Sequence, residues 1–303
     1  MKIKNLVVAL SILFFSCQQG EEVNKNDKVI APISDQVLET AVIYEANIRQ
    51  YSKEGTFKAF TKDIPTLKEL GVKVIWLMPI NPISEIKRKA TDGSFTSEIE
   101  DEEERKKYLG SYYSVSDYKA INPEFGDKAD FKELIETAHK NSIYVIVDWV
   151  PNHTGWDHPW ITNHPDWYTQ NEKGEIIDPI NPDTGKSWGW TDTADLNYDN
   201  LDMQQEMIKD LKYWVANFNI DGYRMDVAHK VPPLFFNKAI TELRKIKPLF
   251  MLAEAEQHEL FRNGFDMQYA WEGHHNLNSI TKGEATVSDF DTYMNKQSVV
   301  LEA

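Results

Sequence analysis

Apolar and polar positions along the 303 residues follow two alternating rhythms. Short, nearly continuous apolar runs at 41–48, 74–80, 144–150, 220–227, 250–255 and 266–271 predict strands buried on both faces, as in a parallel sheet. Between them apolar residues recur at helical spacing. Phe57, Phe60, Ile64, Leu67 and Leu70 form one stripe, ended by Gly71. Phe131, Leu134, Ile135 and Ala138 form a second, and Met203, Met207, Leu211, Val215 and Phe218 a third. Strand and helix in alternation imply an α/β fold, with a closed (β/α)8 barrel and an open doubly wound sheet as candidates.

Two stretches break the rhythm. Residues 84–109 include the charged run 98–107, which reads as a solvated loop or a short exposed helix. Residues 151–200 are irregular and rich in Trp, Pro and Gly. An excursion of that length is expected to wall a cleft. At the start, Lys2 and Lys4 precede an apolar run over 6–15 and then Ser16-Cys17. That is a secretory signal over 1–16, too short to span a bilayer. Residues 17–36 are polar and charged, and read as a flexible tether before a domain over 37–303.

Composition narrows the function. The chain is 41% hydrophobic and 27% charged, ordinary values for a globular protein. Its net charge of −15 argues against nucleic acid or an anionic surface as partner, because binding phosphate needs a positive face. The nine Trp and thirteen Tyr suit both core packing and stacking on sugar faces. One cysteine, Cys17, excludes an intrachain disulfide.

The most telling stretch is Tyr223-Arg224-Met225-Asp226-Val227. On a strand, Arg224 and Asp226 project from the same face, so Arg224 is expected to keep Asp226 ionised. Glu254 follows the next strand and Asp148 ends an earlier one. Strand ends converge on one pocket in a barrel and spread along an edge in an open sheet, which favours the barrel. An ionised Asp facing a protonatable Glu is the pair that retaining glycoside hydrolysis needs, with the carboxyls about 5–5.5 Å apart. Neighbouring strands about 4.8 Å apart can supply that gap.

On these residues the chain resembles the α-amylase family of glycoside hydrolases. Asp148-Trp149-Val150-Pro151-Asn152-His153, Gly222 through Lys230, and Leu252-Ala253-Glu254-Ala255 look like its first three signatures. Thr193-Ala194-Asp195-Leu196-Asn197 looks like the extra signature before strand four, and two segments, 71–80 and 113–118, match near strand two. The resemblance implies a (β/α)8 TIM barrel with a small domain B, about 151–200, inserted after strand three. It implies Asp226 as nucleophile and Glu254 as general acid and base. Tyr113, Asp148, His153, Arg224, His229 and Lys230 would bind or order the substrate, an α-glucan. No cofactor is implied for the chemistry. Asn152 and Asp195 match positions that hold a calcium ion in many members, so a structural calcium is a candidate. The leader resembles a bacterial lipoprotein signal, which implies lipidation at Cys17 and a secreted, membrane-anchored protein at the cell surface.

The pattern also departs from the family. The fourth signature, an Asn-His-Asp after strand seven, is missing: Gly273-His274-His275-Asn276 has no following Asp. About six strands precede a last helix from Thr286, against the eight of a closed barrel. The chain is therefore expected to be a C-terminally truncated barrel, inactive or poorly folded alone. His229-Lys230 reverses the Lys-then-His order of many α-amylases, which leaves the exact substrate open. His139, His158, His164, His274 and His275 carry no motif and are expected at the surface or in loops. The favoured activity is that of an α-amylase on starch or maltooligosaccharides. The alternatives are a cyclomaltodextrinase, an α-glucosidase, a transglycosylating relative, or a surface glucan-binding barrel without chemistry.

Overall fold

A computed structural model describes residues 30–301. The signal segment and Cys17 lie outside the described residues. Among the described residues the strands are β1 (Val42–Ala46), β2 (Val72–Leu77), β3 (Tyr144–Trp149), β4 (His153–Gly155), β5 (Ile180–Asn181), β6 (Lys186–Ser187), β7 (Thr193–Asp195), β8 (Gly222–Met225), β9 (Phe250–Ala253) and β10 (Met267–Gln268). The helices are α1 (Asp35–Thr40), α2 (Ile48–Tyr51), α3 (Phe57–Glu69), α4 (Glu102–Arg105), α5 (Lys128–Lys140), α6 (Pro159–Asn163), α7 (Leu201–Phe218), α8 (Pro233–Arg244), α9 (Glu259–Arg262), α10 (Trp271–Lys282) and α11 (Val287–Leu301).

One parallel sheet carries the fold, in the order β1-β2-β3-β8-β9-β10. Each strand lies beside the next barrel strand in the chain, with no reversal. A doubly wound sheet would show a reversal, so this is the winding of a TIM barrel, present as a six-stranded incomplete barrel. The three predicted helical stripes are α3, α5 and α7. Each is capped where its sequence allows: Thr56 accepts from the Ala59 amide, Asp127 and Asp130 close a capping box, and Asn200 caps α7. Leu70 alone leaves its stripe, being past the helix end and exposed.

Period-two alternation sorts the sheet into two faces. Ile75, Leu77, Val145, Val147, Tyr223, Met225, Met251 and Ala253 face the helices and form the main core. Val74, Trp76, Tyr144, Ile146, Phe250 and Leu252 face the barrel interior. Ile30, Ile33, Val37 and Leu38 pack against this inner layer, and Tyr144 Oη donates to the Ala31 carbonyl at 3.0 Å. The flexible tether expected through residue 36 therefore ends sooner. Its isolated isoleucines find an apolar surface, and α1 follows from an N-cap on Ser34.

The charged run 98–107 forms the short exposed α4, as expected. The last predicted strand is two residues rather than six, because the chain turns at Ala270 and Trp271 opens α10. Among the described residues no helix is long and apolar enough to cross a membrane.

Gly222 fixes the spacing of β8 and β9. A Cβ there would lie 1.8 Å from the Phe250 carbonyl oxygen. Gly222→Ala is expected to lower the unfolding free energy by about 3 kcal/mol or more, read from the urea midpoint. A midpoint within error of the wild type would show that β8 and β9 can part without cost.

Candidate active site

The inner face of the sheet changes character at the C-terminal ends of its strands. Asp148 pairs in register with Arg224, and Arg224 with Leu252. One step higher, Asp226 and Glu254 continue the same face. Their main chains still follow the sheet, with the Asp226 amide donating to the Trp149 carbonyl at 2.9 Å and the Glu254 amide to that of Met225 at 3.0 Å. Two residues of alternation thus carry the lumen from an apolar layer to a charged one.

Arg224 is the hub of that layer and is 3% exposed. Its Nη1 donates to Asp148 Oδ1 at 3.0 Å and to Asp226 Oδ1 at 2.8 Å. Its Nη2 lies 3.0 Å from Glu254 Oε2. Its Cζ sits 4.8 Å from the Trp76 ring centroid and 5.6 Å from that of Tyr269, two aromatic faces that suit a guanidinium. Asp148 is fully buried and also accepts from Trp76 Nε1 at 3.1 Å and Tyr113 Oη at 3.4 Å. Glu254 Oε2 takes a second donor, the Val227 amide at 2.7 Å. That amide reaches it because Val227 adopts φ 38°, ψ 45°, a left-handed conformation that a β-branched residue rarely holds.

Three carboxylates share this one guanidinium. Arg224 draws the Asp226 carboxyl down, but other groups act on it as well. Burial pushes the Asp226 carboxyl up, to about 7, and Glu254 pushes the same way, while Arg224 only partly offsets them. Burial likewise holds Asp148 well above the usual carboxylate range. Glu45, on the same inner face of β1, is also raised by burial. Burial lowers the His153 imidazole to about 4, so it is a neutral hydrogen-bonding group at pH 7.

Above the hub is a cavity of about 290 Å³. Arg224, Asp226 and Glu254 form its floor, with Tyr113, His153, Trp190 and Asp192 around it. The excursion 151–200 does wall the cleft. Two antiparallel ladders brace it internally, β4–β7, which pairs His153 with Asp195, and β5–β6. A larger cavity, about 630 Å³, lies between α6 and α7 and shares no lining residue with the first. The smaller one holds the convergent polar groups that mark a reactive site.

The structure brings Tyr113, Asp148, His153, Arg224, Asp226 and Glu254 together around one hub and cavity. Sequence reasoning missed Trp76, Tyr269, Trp190 and Asp192. Trp76 was legible as an inward position by alternation along β2, whereas the others depend on loop paths. His229 and Lys230 do not line the cavity. After Val227 the chain enters a single helical turn, Ala228–Lys230, which sends His229 into solvent and Lys230 toward Trp188. Of the histidines expected at the surface or in loops, His158 is buried in the loop that caps α6, and His139 is half-buried on α5, its Nε2 2.8 Å from Asp221 Oδ2.

Asn152 and Asp195 offer two of the oxygen donors a calcium ion would need. Asn152 Nδ2 is engaged with His153 Nδ1 at 3.1 Å, and among the described residues no three His, Cys, Asp or Glu side chains converge on a metal position. Calcium takes six to eight oxygens. Burial pushes the Asp195 carboxyl up to about 6, with Lys230 partly offsetting it.

A parallel barrel sheet with a carboxylate and arginine cluster at its C-terminal edge defines a class of enzyme-like sites. The comparisons place the chain within that class. Residues 22–298 match the model of the α-amylase catalytic domain. The α-1,4-glucan:maltose-1-phosphate maltosyltransferase of Mycolicibacterium smegmatis is 27% identical over 229 residues, covering 72% of this chain and 31% of that protein. Alpha-amylase 3 of Dictyoglomus thermophilum is 29% identical over 210 residues, covering 63% and 37%. The crystal structure of an α-amylase from Lactobacillus plantarum superposes with a TM-score of 0.74 at 32% identity, covering 86% of this chain and 59% of that one. The chain belongs to the α-amylase family of glycoside hydrolases. It spans about a third of the length of the curated relatives it matches.

A carboxyl raised on folding carries no penalty below about pH 4, where both states are protonated. It carries the full penalty once pH passes its folded value, near 7 for Asp226. Asp226→Asn should therefore gain stability relative to the wild type as pH rises. Between pH 5 and pH 8 the difference in unfolding free energy should grow by about 1.4 kcal/mol or more, the worth of one pKa unit. A difference that is flat or shrinks over that range would contradict the burial argument.

Proposed function

We propose that this chain carries the catalytic pair of a retaining glycosidase that cleaves α-glucosidic bonds, acting as an α-amylase on starch or maltooligosaccharides. The observation that carries this reading is the Arg224 fork, with one nitrogen on Asp226 and the other on Glu254 beneath a cavity edged by Tyr113 and Trp190. It holds two carboxyl groups on one side of a sugar-sized space where a positive transition state would form.

Glu254 Oε2 already accepts from the Val227 amide and lies 3.0 Å from Arg224 Nη2, so a proton on this carboxyl belongs on Oε1. From there it would pass to the glycosidic oxygen as the bond to the anomeric carbon breaks. Asp226 would then attack that carbon and form a glycosyl ester. The approaching positive charge offsets the burial that raises Asp226, and so favours its ionised form when it is needed. In the second half, Glu254 would take a proton from water as water displaces Asp226. Asp148, locked by Arg224, Trp76 and Tyr113, would keep the hub in place. Transfer to a sugar hydroxyl in place of water is the same chemistry with another acceptor. It is the natural alternative for a family that includes a maltosyltransferase.

The test uses the polypeptide encoded by the longest reading frame that contains these residues. Glu254→Gln is expected to lower kcat on soluble starch roughly 10²- to 10⁴-fold, the usual contribution of a general acid. An aryl maltoside with a good leaving group should lose far less in its first step. Equal losses on both substrates would remove Glu254 from the acid role. Wild-type polypeptide that binds starch without cleaving or transferring it would leave a glucan-binding protein.

A further inference from the structure

The sequence leaves one oddity unused, the reversed pair His229-Lys230. Lys230 Nζ lies 3.9 Å from the ring centroid of Trp188, with Asp183 and Asp195 as its nearby opposite charges. Trp188 stacks on Trp190, centroids 5.9 Å apart and planes 21° from parallel. Trp190 in turn meets His153 at 5.8 Å and lines the cavity. A continuous run of groups therefore joins the turn after β8 to the wall of the site.

A second lysine grips the same arm from the other insertion. Lys89 Nζ donates to the Gly189 carbonyl at 2.6 Å and lies 3.3 Å from Asp192 Oδ1. Gly189 is the residue between the two tryptophans, and its φ of +86° makes the turn that brings them together. The arm needs such anchors. Residues 182–189 are exposed, and the β5–β6 ladder that carries the arm is two residues long. Trp188 itself is 39% exposed. A cavity of about 290 Å³ is at the low end for a ligand site, so further rings of a polymer must rest outside it.

We propose that Lys230 and Lys89 clamp the 187–192 arm, and that the clamp holds Trp190 as a stacking wall for an α-linked glucosyl ring across from Tyr113. The two lysines are positioning residues, and Trp190 is the residue that touches sugar. The sugar half of the proposal rests on the α-glucan reading above. The clamp half does not, since it concerns the free protein.

The experiment pairs two readouts on Lys230→Ala, Lys230→Arg, Lys89→Ala and Trp190→Ala. In the free 303-residue chain, tryptic nicking after the exposed Lys186 should speed up roughly fivefold in Lys230→Ala and in Lys89→Ala, and should stay at the wild-type rate in Lys230→Arg. Calorimetry with maltoheptaose as probe should show a similar loss of affinity in both alanine variants, a larger loss in Trp190→Ala, and recovery in Lys230→Arg. Unchanged nicking and affinity in Lys230→Ala would overturn the clamp. Normal nicking in Lys230→Arg with affinity still lost would also overturn it, since Lys230 would then contact sugar directly. Wild-type protein with the expected nicking pattern but no affinity for maltoheptaose would overturn the sugar half together with the α-glucan reading, and leave the clamp standing.

Discussion

One guanidinium shared among three carboxylates is the constraint on which the site depends. Asp148, Asp226 and Glu254 end three neighbouring strands of a parallel sheet, and each meets Arg224 within 3.0 Å. Among the described residues no other cation lies in ion-pair range of these three. Without that charge the layer would hold only acids in a place with little water. Breaking a buried pair of this kind typically costs about 3–5 kcal/mol. The barrel supplies the geometry that makes sharing possible, because parallel register puts Asp148 and Arg224 side by side and alternation raises Asp226 and Glu254 one step above them. The aromatic faces of Trp76 and Tyr269 replace part of the hydration that the guanidinium gives up.

The same sharing sets the proton chemistry. A fully satisfied Asp226 would be a weak reporter of what arrives in the cavity. A partly satisfied one, raised by burial to about 7, changes its charge state readily when a positive centre approaches. Glu254 is held at Oε2 by the Val227 amide and the Arg224 charge. The division of labour between the two carboxyls thus follows from where donors are placed rather than from any difference in the side chains. Val227 takes part by backbone alone, since its left-handed conformation aims an amide that an ordinary strand exit would point elsewhere.

The sheet was readable in the sequence because its signal is local. Apolar runs mark the strands, 3.6-residue stripes mark the helices, and the carboxylates stand at strand ends where convergence can be inferred. The hub was readable for the same reason: Arg224 and Asp226 are two residues apart on one strand. What the sequence hid depends on loop paths and on shared partners. Trp188, Trp190 and Lys89 meet only because two insertions fold toward each other. The raised Asp226 carboxyl follows first from burial and then from Glu254 beside it, which no pairwise reading of Arg224 with Asp226 anticipates. Ile30 and Ile33 look like stray apolar residues in a polar leader until the inner face of the barrel offers them a surface. His229 and Lys230 stand outside the cavity lining because the left-handed turn at Val227 leads straight into the turn Ala228–Lys230.

The central claim is that Asp226 forms a covalent bond to the sugar while Glu254 manages the proton. The most direct measurement is to treat the polypeptide from the longest reading frame with a 5-fluoro-α-glucosyl fluoride, which slows breakdown of a glycosyl ester, and then to map the label by peptide mass spectrometry. The expected result is one added hexosyl group on the peptide that holds Asp226, absent from Asp226→Asn. A label on Asp148 or Glu254, or release of fluoride with no covalent adduct at all, would contradict the account.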